Sequence, residues 1–152
     1  MFEGRWLAPL RRNIIDPLAC LRSGSPLRNY WNELERTQFL PQATLREMQW
    51  ERLTHLLQHA ASHNRFYRER FAAAGVDVER IGSVGDFQRI PILTKEEVRQ
   101  NTAEMISDGV DRATLMHMKT GGSTGRALDI FITEGCSELR NACARRHDRW
   151  SG

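Results

Sequence analysis

Six consecutive residues near the end of the 152-residue chain combine three glycines with three hydroxyl side chains. They are Thr120, Gly121, Gly122, Ser123, Thr124 and Gly125. The flanking segments, residues 113–119 and 128–133, have the composition of short strands. Glycine lets successive amides point into one concavity, and hydroxyl groups add short hydrogen-bond donors. The pattern predicts a loop between two strands that binds a polyanion such as a triphosphate, and a plain Gly-rich hairpin connection is the alternative.

Two common nucleotide-binding motifs do not match this loop. A Walker A loop requires a second glycine five residues after the first, followed by lysine. Arg126 stands five residues after Gly121, Ala127 stands five residues after Gly122, and no lysine follows. The GxGxxG spacing of dinucleotide-binding folds is also absent. The loop therefore indicates neither of these two classes.

The first half of the chain has a helical pattern. Thr44 and Glu47 have the spacing of a capping box, which predicts that a helix begins there. Its apolar side consists of Leu45, Met48, Leu53, Leu56, Leu57 and Ala60. The helix is expected to weaken near residues 62–64, and a second helical piece is expected to stop at Gly75.

The pattern changes at Ser83. A second capping box, Thr94 to Glu97, predicts a short helix, and the two strands and a helix over residues 134–150 follow. We therefore predict an α/β fold in two parts. Residues 1–82 form a mainly helical N-terminal region, and residues 83–152 form the beginning of an α/β core whose fold is incomplete.

The N-terminal segment has an amphipathic pattern. Its apolar stripe consists of Leu7, Leu10, Ile14, Leu18 and Leu21. Pro9 and Pro17 would each kink or break a continuous helix. We interpret the stripe as packing on its own protein, and contact with a membrane surface is the alternative.

Charge and cysteine content exclude some classes of protein. The formal charge of +3 does not favour a nucleic-acid partner, and no apolar run is long enough to span a bilayer. Cys20, Cys136 and Cys143 lack the spacing of a disulfide scaffold or a zinc site, so we expect a cytoplasmic protein.

Histidines and cysteines on the predicted helices are expected to have no catalytic or metal-binding role. His55, His59 and His63 share a helical face, but no acidic or cysteine ligand completes a metal set there. Cys136, Cys143 and His147 lie in the last helical stretch without an acid or base partner at a suitable spacing.

The Gly-rich loop resembles the phosphate-binding signature of adenylate-forming enzymes, in the version found in phenylacetate-CoA ligase-like proteins and their capsule-biosynthesis relatives. Segments ahead of the loop are similar to that group as well. They are Trp31, Thr37-Gln38, residues 56–60, Phe66-Tyr67-Arg68, Phe87, and residues 90–95 with Val98-Arg99. The order of these motifs makes the resemblance more specific than the loop alone.

The resemblance implies a reaction and a set of ligands. A carboxylic acid would be activated with ATP and Mg²⁺ to an acyl-adenylate, and the acyl group would then pass to a thiol, coenzyme A in most such enzymes. The residues implied to bind the ATP phosphates are Thr120 to Gly125. The acid itself is not specified by the sequence.

The chain differs from similar enzymes in two respects. Many members of the superfamily have Pro-Lys after the loop, where this chain has Ala127-Leu128. Nothing in residues 129–152 matches the later segments that hold ribose, magnesium and a catalytic lysine in similar enzymes. We therefore expect an N-terminal portion that is inactive alone. The alternative is a noncatalytic helical module, touching a partner or a membrane surface, in which the Gly-rich loop is incidental.

Overall fold

The computed structural model describes residues 24–121 and 127–151, together with Ile14, Leu18 and Arg22. Leu7, Leu10 and Leu21 of the predicted stripe lie outside the described residues. The α-helices are α1 (Leu27–Thr37), α2 (Gln42–His63), α3 (Arg65–Ala73), α4 (Val84–Phe87), α5 (Lys95–Asn101) and α6 (Glu134–Ser151), and the strands are β1 (Met116–Lys119) and β2 (Asp129–Ile132). The described chain is thus mostly helical with one small sheet, consistent with a mixed α/β class.

The chain divides into two compact units, Met1–Leu40 with Glu134–Gly152, and Pro41–Thr133. The predicted boundary between residues 82 and 83 falls within the second of these units. The assignment of residues 83–152 to the beginning of an adenylate-forming core stays a prediction. Within the described residues, no helix is both long and apolar enough to cross a membrane.

The first unit is built on the packing of α1 against α6. Leu27 and Ala142 are its buried apolar side chains among the described residues. Polar contacts join the same two segments: Ser25 Oγ donates a hydrogen bond to Glu138 Oε2 at 3.0 Å. The indole of Trp150 donates to Gln38 Oε1 at 3.1 Å. The helix predicted over residues 134–150 is confirmed.

The second unit has its core between α2, α3 and the 3₁₀ turn Val78–Arg80. Its buried side chains are Leu57, Phe71, Val78 and Ile81. The helix α3 ends as predicted at Gly75, whose φ is +62°. Gly75 N donates to Ala72 O and Val76 N to Phe71 O, the hydrogen-bond pattern of a Schellman motif.

Asn64 forms the junction between α2 and α3, where the backbone becomes extended. Its side chain is almost fully buried. The Oδ1 atom accepts a hydrogen bond from Tyr67 N at 3.1 Å, and Nδ2 donates to Glu104 O at 3.3 Å. Nearby, Asp108 N donates to His63 O at 2.6 Å. These bonds attach residues 104–108, which lead toward β1, to the helical core.

The two predicted capping boxes have different outcomes. The box at Thr94 is confirmed, because Glu97 N donates to Thr94 Oγ1 and Thr94 N donates to Glu97 Oε2. The prediction of a capping box at Thr44 is wrong. The N-cap of α2 is Pro41, three residues before Thr44, so Thr44 lies inside the helix. The fixed φ of proline suits a helix start, and a helix started there makes a cap at Thr44 unnecessary.

The strand predicted over residues 113–119 is shorter than expected. Residues Arg112–Thr114 form a 3₁₀ turn, and β1 starts only at Met116. Asp111 causes this difference: its carboxylate accepts a hydrogen bond from Ala113 N at 2.8 Å, and its carbonyl accepts one from the Thr114 hydroxyl at 2.7 Å. An aspartate that bonds the amide two residues later favours a turn over a strand.

Candidate functional site

The predicted Gly-rich loop joins two antiparallel strands. The register pairs Met116 with Ile132, His117 with Phe131, Met118 with Ile130, and Lys119 with Asp129. Because side chains alternate between the two faces of a sheet, His117, Lys119, Asp129 and Phe131 share one face. Methionine and isoleucine side chains occupy the other face. The hairpin therefore has one polar face and one apolar face.

The end of the hairpin next to the loop is closed by two residues, Thr120 and Leu128. Thr120 N donates a hydrogen bond to Leu128 O at 3.0 Å. Leu128 N donates to the side-chain oxygen of Thr120, Oγ1, at 2.9 Å. We call this pair the loop neck. It joins the two chain segments on either side of residues 121–127.

The structure describes part of the predicted phosphate-binding set. Thr120 lies at the loop neck, and Gly121 follows it as an exposed residue. A Cβ atom placed on Gly121 would meet no atom within 4 Å, so the space beside its backbone is open. Gly122, Ser123, Thr124 and Gly125 lie outside the described residues. Their role in binding phosphate stays a prediction.

A cluster of charged side chains occupies the polar face beside the loop neck. His117 Nε2 lies 2.6 Å from Asp129 Oδ1, and Lys119 Nζ lies 3.8 Å from the same oxygen. Because an ionised carboxylate only accepts, Nε2 carries the proton of this hydrogen bond. The hydrogen bond with His117, followed by the charges of Lys119 and Arg112, lowers the pKa of Asp129 below its ordinary value. The carboxylate therefore stays ionised near neutral pH.

The ring of Phe131 supports the cations of this face. The guanidinium carbon of Arg112 lies 4.4 Å from the centroid of the ring, within the range of a cation–π contact. The imidazole of His117 stacks on the same ring at a centroid distance of 5.0 Å. We define Arg112, His117, Lys119, Asp129 and Phe131 as the neck cluster. Two permanent cations and an imidazole against one carboxylate suit a neighbouring anion.

The neck cluster was not predicted from the sequence. The relevant signal was present, because His117 and Lys119 are two residues apart in one strand and Asp129 follows the loop. Contacts among these residues can be inferred only when the register of the two strands is known. If the pairing register of the two strands changed by one residue, the side chains from one strand would move to the opposite face of the sheet and lose contact with those of the other strand.

A mainly apolar cavity of about 420 Å³ lies beside β2 in the second unit. Its lining includes Tyr67 from α3, Val98 from α5, Met105, and Ile130 and Phe131 from β2. Burial raises the pKa of the Tyr67 hydroxyl. Asp129 belongs both to this lining and to the neck cluster.

Among the described residues, the three histidines of α2 do not belong to a group of three or more side chains that could hold a metal ion. The rings of His59 and His63 stack at a centroid distance of 4.7 Å, and His59 Nε2 lies 3.4 Å from Ser107 Oγ. Within residues 24–121 and 127–151, no three His, Cys, Asp or Glu side chains are placed to hold a metal ion. In α6, Cys136, Cys143 and His147 have exposed positions.

Comparison with known proteins relates the chain to phenylacetate-coenzyme A ligases. The protein of that name from Escherichia coli K12 is 28% identical over 91 residues, which cover 59% of this chain and 21% of the relative. The Aromatoleum evansii protein is 26% identical over 125 residues, 76% of this chain and 28% of the relative. The Pseudomonas putida protein is 27% identical over 112 residues, 70% of this chain and 25% of the relative.

These similarities support a distant relationship to that family of ligases. The chain spans between a fifth and three tenths of the length of these relatives. No family model matches the chain.

Proposed function

We propose that this chain is the N-terminal portion of an ATP-dependent carboxylate-activating enzyme of the phenylacetate-CoA ligase type, and that its Gly-rich loop holds the phosphates of ATP. The similarity to three phenylacetate-coenzyme A ligases carries the proposal. The location of the loop between two strands, with cations beside its neck, adds physical support. A cytoplasmic location belongs to the same proposal and rests on the spacing of the three cysteines.

The proposed reaction has two steps. An oxygen of the carboxylate attacks the α-phosphorus of ATP, and the bond to pyrophosphate breaks, so that an acyl-adenylate and pyrophosphate form. The thiol of coenzyme A then attacks the acyl carbon, loses its proton and displaces AMP. The role assigned to residues 120–125 is to orient the β- and γ-phosphates while negative charge moves onto the leaving pyrophosphate.

The described residues fit the anionic part of ATP better than they fit Mg²⁺. The side chain of Lys119 is two-thirds exposed beside the loop neck, where its ammonium group can approach a phosphate. No set of three metal-binding side chains is present among the described residues. The proposal therefore assigns Mg²⁺ to none of them and attributes no step of this chain to the metal.

The proposal is tested by amide exchange on the 152-residue chain with ATP, tripolyphosphate or adenosine. We expect ATP and tripolyphosphate to slow exchange of the amides of residues 120–128, and adenosine alone to have a much smaller effect. Gly122→Val is expected to abolish that protection, because a branched side chain would fill the space used by the phosphates. Gly82→Val is the matched control, since a Cβ atom at Gly82 meets no atom within 4 Å.

Equal protection in the Gly122→Val variant would contradict the assignment of the loop. Binding of lipid vesicles or of another protein that is unaffected by loop substitutions would instead favour the helical interaction module.

We also propose that the chain alone does not form acyl-adenylates. The later segments that hold ribose and supply a catalytic lysine in similar enzymes have no match in residues 129–152, and such groups act together in catalysis. The test incubates the chain with ATP, Mg²⁺, coenzyme A and a panel of aryl and alkyl carboxylates, and measures AMP. Sustained AMP formation that disappears in the Gly122→Val variant would overturn this part of the proposal.

A further inference from the structure

The cavity beside β2 has the size of a site for a small molecule. Its volume of about 420 Å³ lies within the range of about 300–1,000 Å³ that is typical of ligand pockets. Apolar side chains make up most of its lining, among them Leu93, Val98, Met105, Leu115 and Ile130. The described lining lies between Tyr67 and Thr133, within one compact unit. Thr120, Gly121 and Leu128 are not part of this lining, so the cavity is separate from the loop neck.

Polar contacts outside the cavity hold its walls in place. Arg70 on α3 donates a hydrogen bond to Ile92 O at 2.6 Å and pairs with Glu97 at 2.6 Å, which fixes α5 and the segment before it. The side-chain amide of Asn64 donates to Glu104 O at 3.3 Å, which fixes the segment between α5 and β1. A cavity whose walls are fixed in this way loses less conformational entropy when a ligand binds than one that must first be ordered.

One hydroxyl group of the lining has no hydrogen bond within the described part of the chain. Thr102 donates its hydroxyl to Val98 O at 2.6 Å, and Ser107 Oγ lies 3.4 Å from His59 Nε2. The hydroxyl of Tyr67 makes no such bond to any described residue. Burial raises the pKa of this hydroxyl, so it keeps its proton near neutral pH. It can therefore donate a hydrogen bond to a ligand.

The ring of Tyr67 is held by its aromatic neighbours. Its centroid lies 5.3 Å from that of Phe66, edge to face, and 6.1 Å from that of the buried core residue Phe71. The main-chain amide of Tyr67 is bound by the side chain of Asn64 at 3.1 Å. The position of the tyrosine is thus fixed from the side of the core, and its hydroxyl is left available.

The charges around the cavity disfavour a charged ligand. Asp129 is the charged residue of the described lining, and an anion would lose its hydration there beside a carboxylate. A cation would find the same carboxylate already engaged, because Asp129 Oδ1 contacts both His117 and Lys119. A neutral polar group has neither disadvantage, since burying it costs much less than burying a charge.

We propose that this cavity binds a small uncharged molecule, with an apolar body and one group that accepts a hydrogen bond from Tyr67. The proposal does not depend on ATP binding by the Gly-rich loop. The apolar body lies against the side chains of Val98, Met105 and Ile130. The Tyr67 hydroxyl fixes the orientation of the ligand.

The test uses three probes that share one ring and differ in charge: phenylacetamide, phenylacetate and 2-phenylethylamine. Binding to the 152-residue chain is followed by NMR at the methyl groups of Met105 and Ile130. Two variants alter the cavity. Tyr67→Phe removes the hydroxyl alone, and Tyr30→Phe, on α1 in the other unit, is its control.

The second variant, Val110→Phe, introduces a ring at an exposed residue of the lining, where a larger side chain is least disruptive to the fold. Its control is Val84→Phe, because Val84 is also exposed but does not line the cavity. Circular dichroism of each variant verifies that the helices are retained.

We expect phenylacetamide to shift both methyl signals saturably, and the anion and the cation to bind at least about 10-fold more weakly. Tyr67→Phe should raise the Kd for phenylacetamide by about 3- to 10-fold, the size of one ordinary hydrogen bond. Val110→Phe should raise the Kd by about 10-fold or more, because the added ring occupies space that the ligand needs. Both control variants should bind like the wild-type chain.

Three results would overturn the proposal. The first is that none of the probes shifts the two methyl signals, and the second is that phenylacetate or 2-phenylethylamine binds as tightly as phenylacetamide. The third is an unchanged Kd for phenylacetamide in both Tyr67→Phe and Val110→Phe. Each of these results leaves ATP binding by the loop unaffected, because that function is measured separately by amide exchange of residues 120–128.

Discussion

Arg70 on α3 and Glu97 on α5 form an ion pair that joins two helices of the second unit. Arg70 Nη1 lies 2.6 Å from Glu97 Oε1, and Arg70 Nη2 donates to the carbonyl of Ile92 at 2.6 Å. The other carboxylate oxygen of Glu97 accepts hydrogen bonds from the amide and hydroxyl of Thr94. One carboxylate therefore caps its own helix and holds the neighbouring one.

Disruption of this pair is expected to lower the thermal stability of the second unit. Arg70→Met removes the partner of Glu97 and the donor to Ile92 O, and we expect Tm to fall by about 4–8 °C, which corresponds to about 1 kcal/mol in a domain of this size. Arg65→Met is the control, because the Arg65–Glu69 pair is highly exposed and such pairs contribute little. Equal Tm values for the two variants, measured by circular dichroism, would contradict the role of Arg70.

The lowered pKa of Glu97 predicts that the stability of the fold depends on pH. Hydrogen bonds from Thr94 and then from Arg70 lower the pKa of Glu97 from 4.5 to about 2. A group with a lowered pKa stabilises the fold fully above its ordinary pKa, and the stabilisation is lost as the pH falls through the lowered pKa. We therefore expect Tm to fall between about pH 4.5 and pH 2, and to fall less in Glu97→Gln. Parallel profiles for both proteins would show that Glu97 does not contribute.

Asn64 is expected to stabilise the junction of α2 and α3 through both ends of its amide. Asn64→Ala removes the cap of Tyr67 N and leaves the carbonyl of Glu104 without its donor, so we expect a loss of about 1–3 kcal/mol in the free energy of unfolding. Asn64→Ser keeps an acceptor for the cap but not the amide donor, and its loss should be smaller because no charge is placed at this buried position. Urea denaturation measures both, and an alanine variant as stable as wild type would refute the double role.

Phe71 is expected to dominate the core of the second unit. It is 5% exposed, whereas Phe39 is 86% exposed and serves as the matched control. Truncation of a buried phenylalanine costs about 3–5 kcal/mol, because the transfer energy is lost and a cavity remains. Phe71→Ala should therefore lose much of the unfolding free energy in urea, and Phe39→Ala less than about 0.5 kcal/mol. Similar losses in both variants would show that Phe71 is not a core residue.

Asp129 is expected to hold His117 and Lys119 on the polar face of the hairpin. Its pKa is lowered mainly by the hydrogen bond with His117, so the contact should persist above pH 3.8, the ordinary value, and weaken as the pH falls below it. In the wild-type chain we expect the NMR signals of His117 and Phe131 to shift as the pH falls below that value. Asp129→Asn should abolish this shift. Asp108→Asn is the control, because it alters an exposed pair with Arg68 and should leave the shift unchanged. An identical acid transition in the Asp129→Asn variant would contradict the assignment.

Features of the fold that depend on nearby residues could be predicted from the sequence. The capping box of Thr94 and Glu97 spans three residues, and the helix stop at Gly75 requires one glycine with positive φ. The two strands beside the Gly-rich segment were also predicted, because alternation and turn residues are local patterns. In such cases the residues that determine the structure are close together in the chain, so little loop-closure entropy opposes their contact.

Other features were decided by competition or by tertiary packing. The helix α2 begins directly after Pro41, so Thr44 lies inside it and does not cap it. Asp111 caps a turn at a place where a strand was predicted. Contacts between distant residues, such as Arg70 with Glu97 or Asn64 with Glu104, depend on which helices pack together. The loop neck and the neck cluster depend on strand register, since only one alignment places Asp129 opposite Lys119. The amino-acid sequence thus determined the local elements and the Gly-rich composition of the segment between the strands. The tertiary structure decided which side chains lie together beside that segment, because long-range pairing is selected by packing of the whole unit and not by any local pattern.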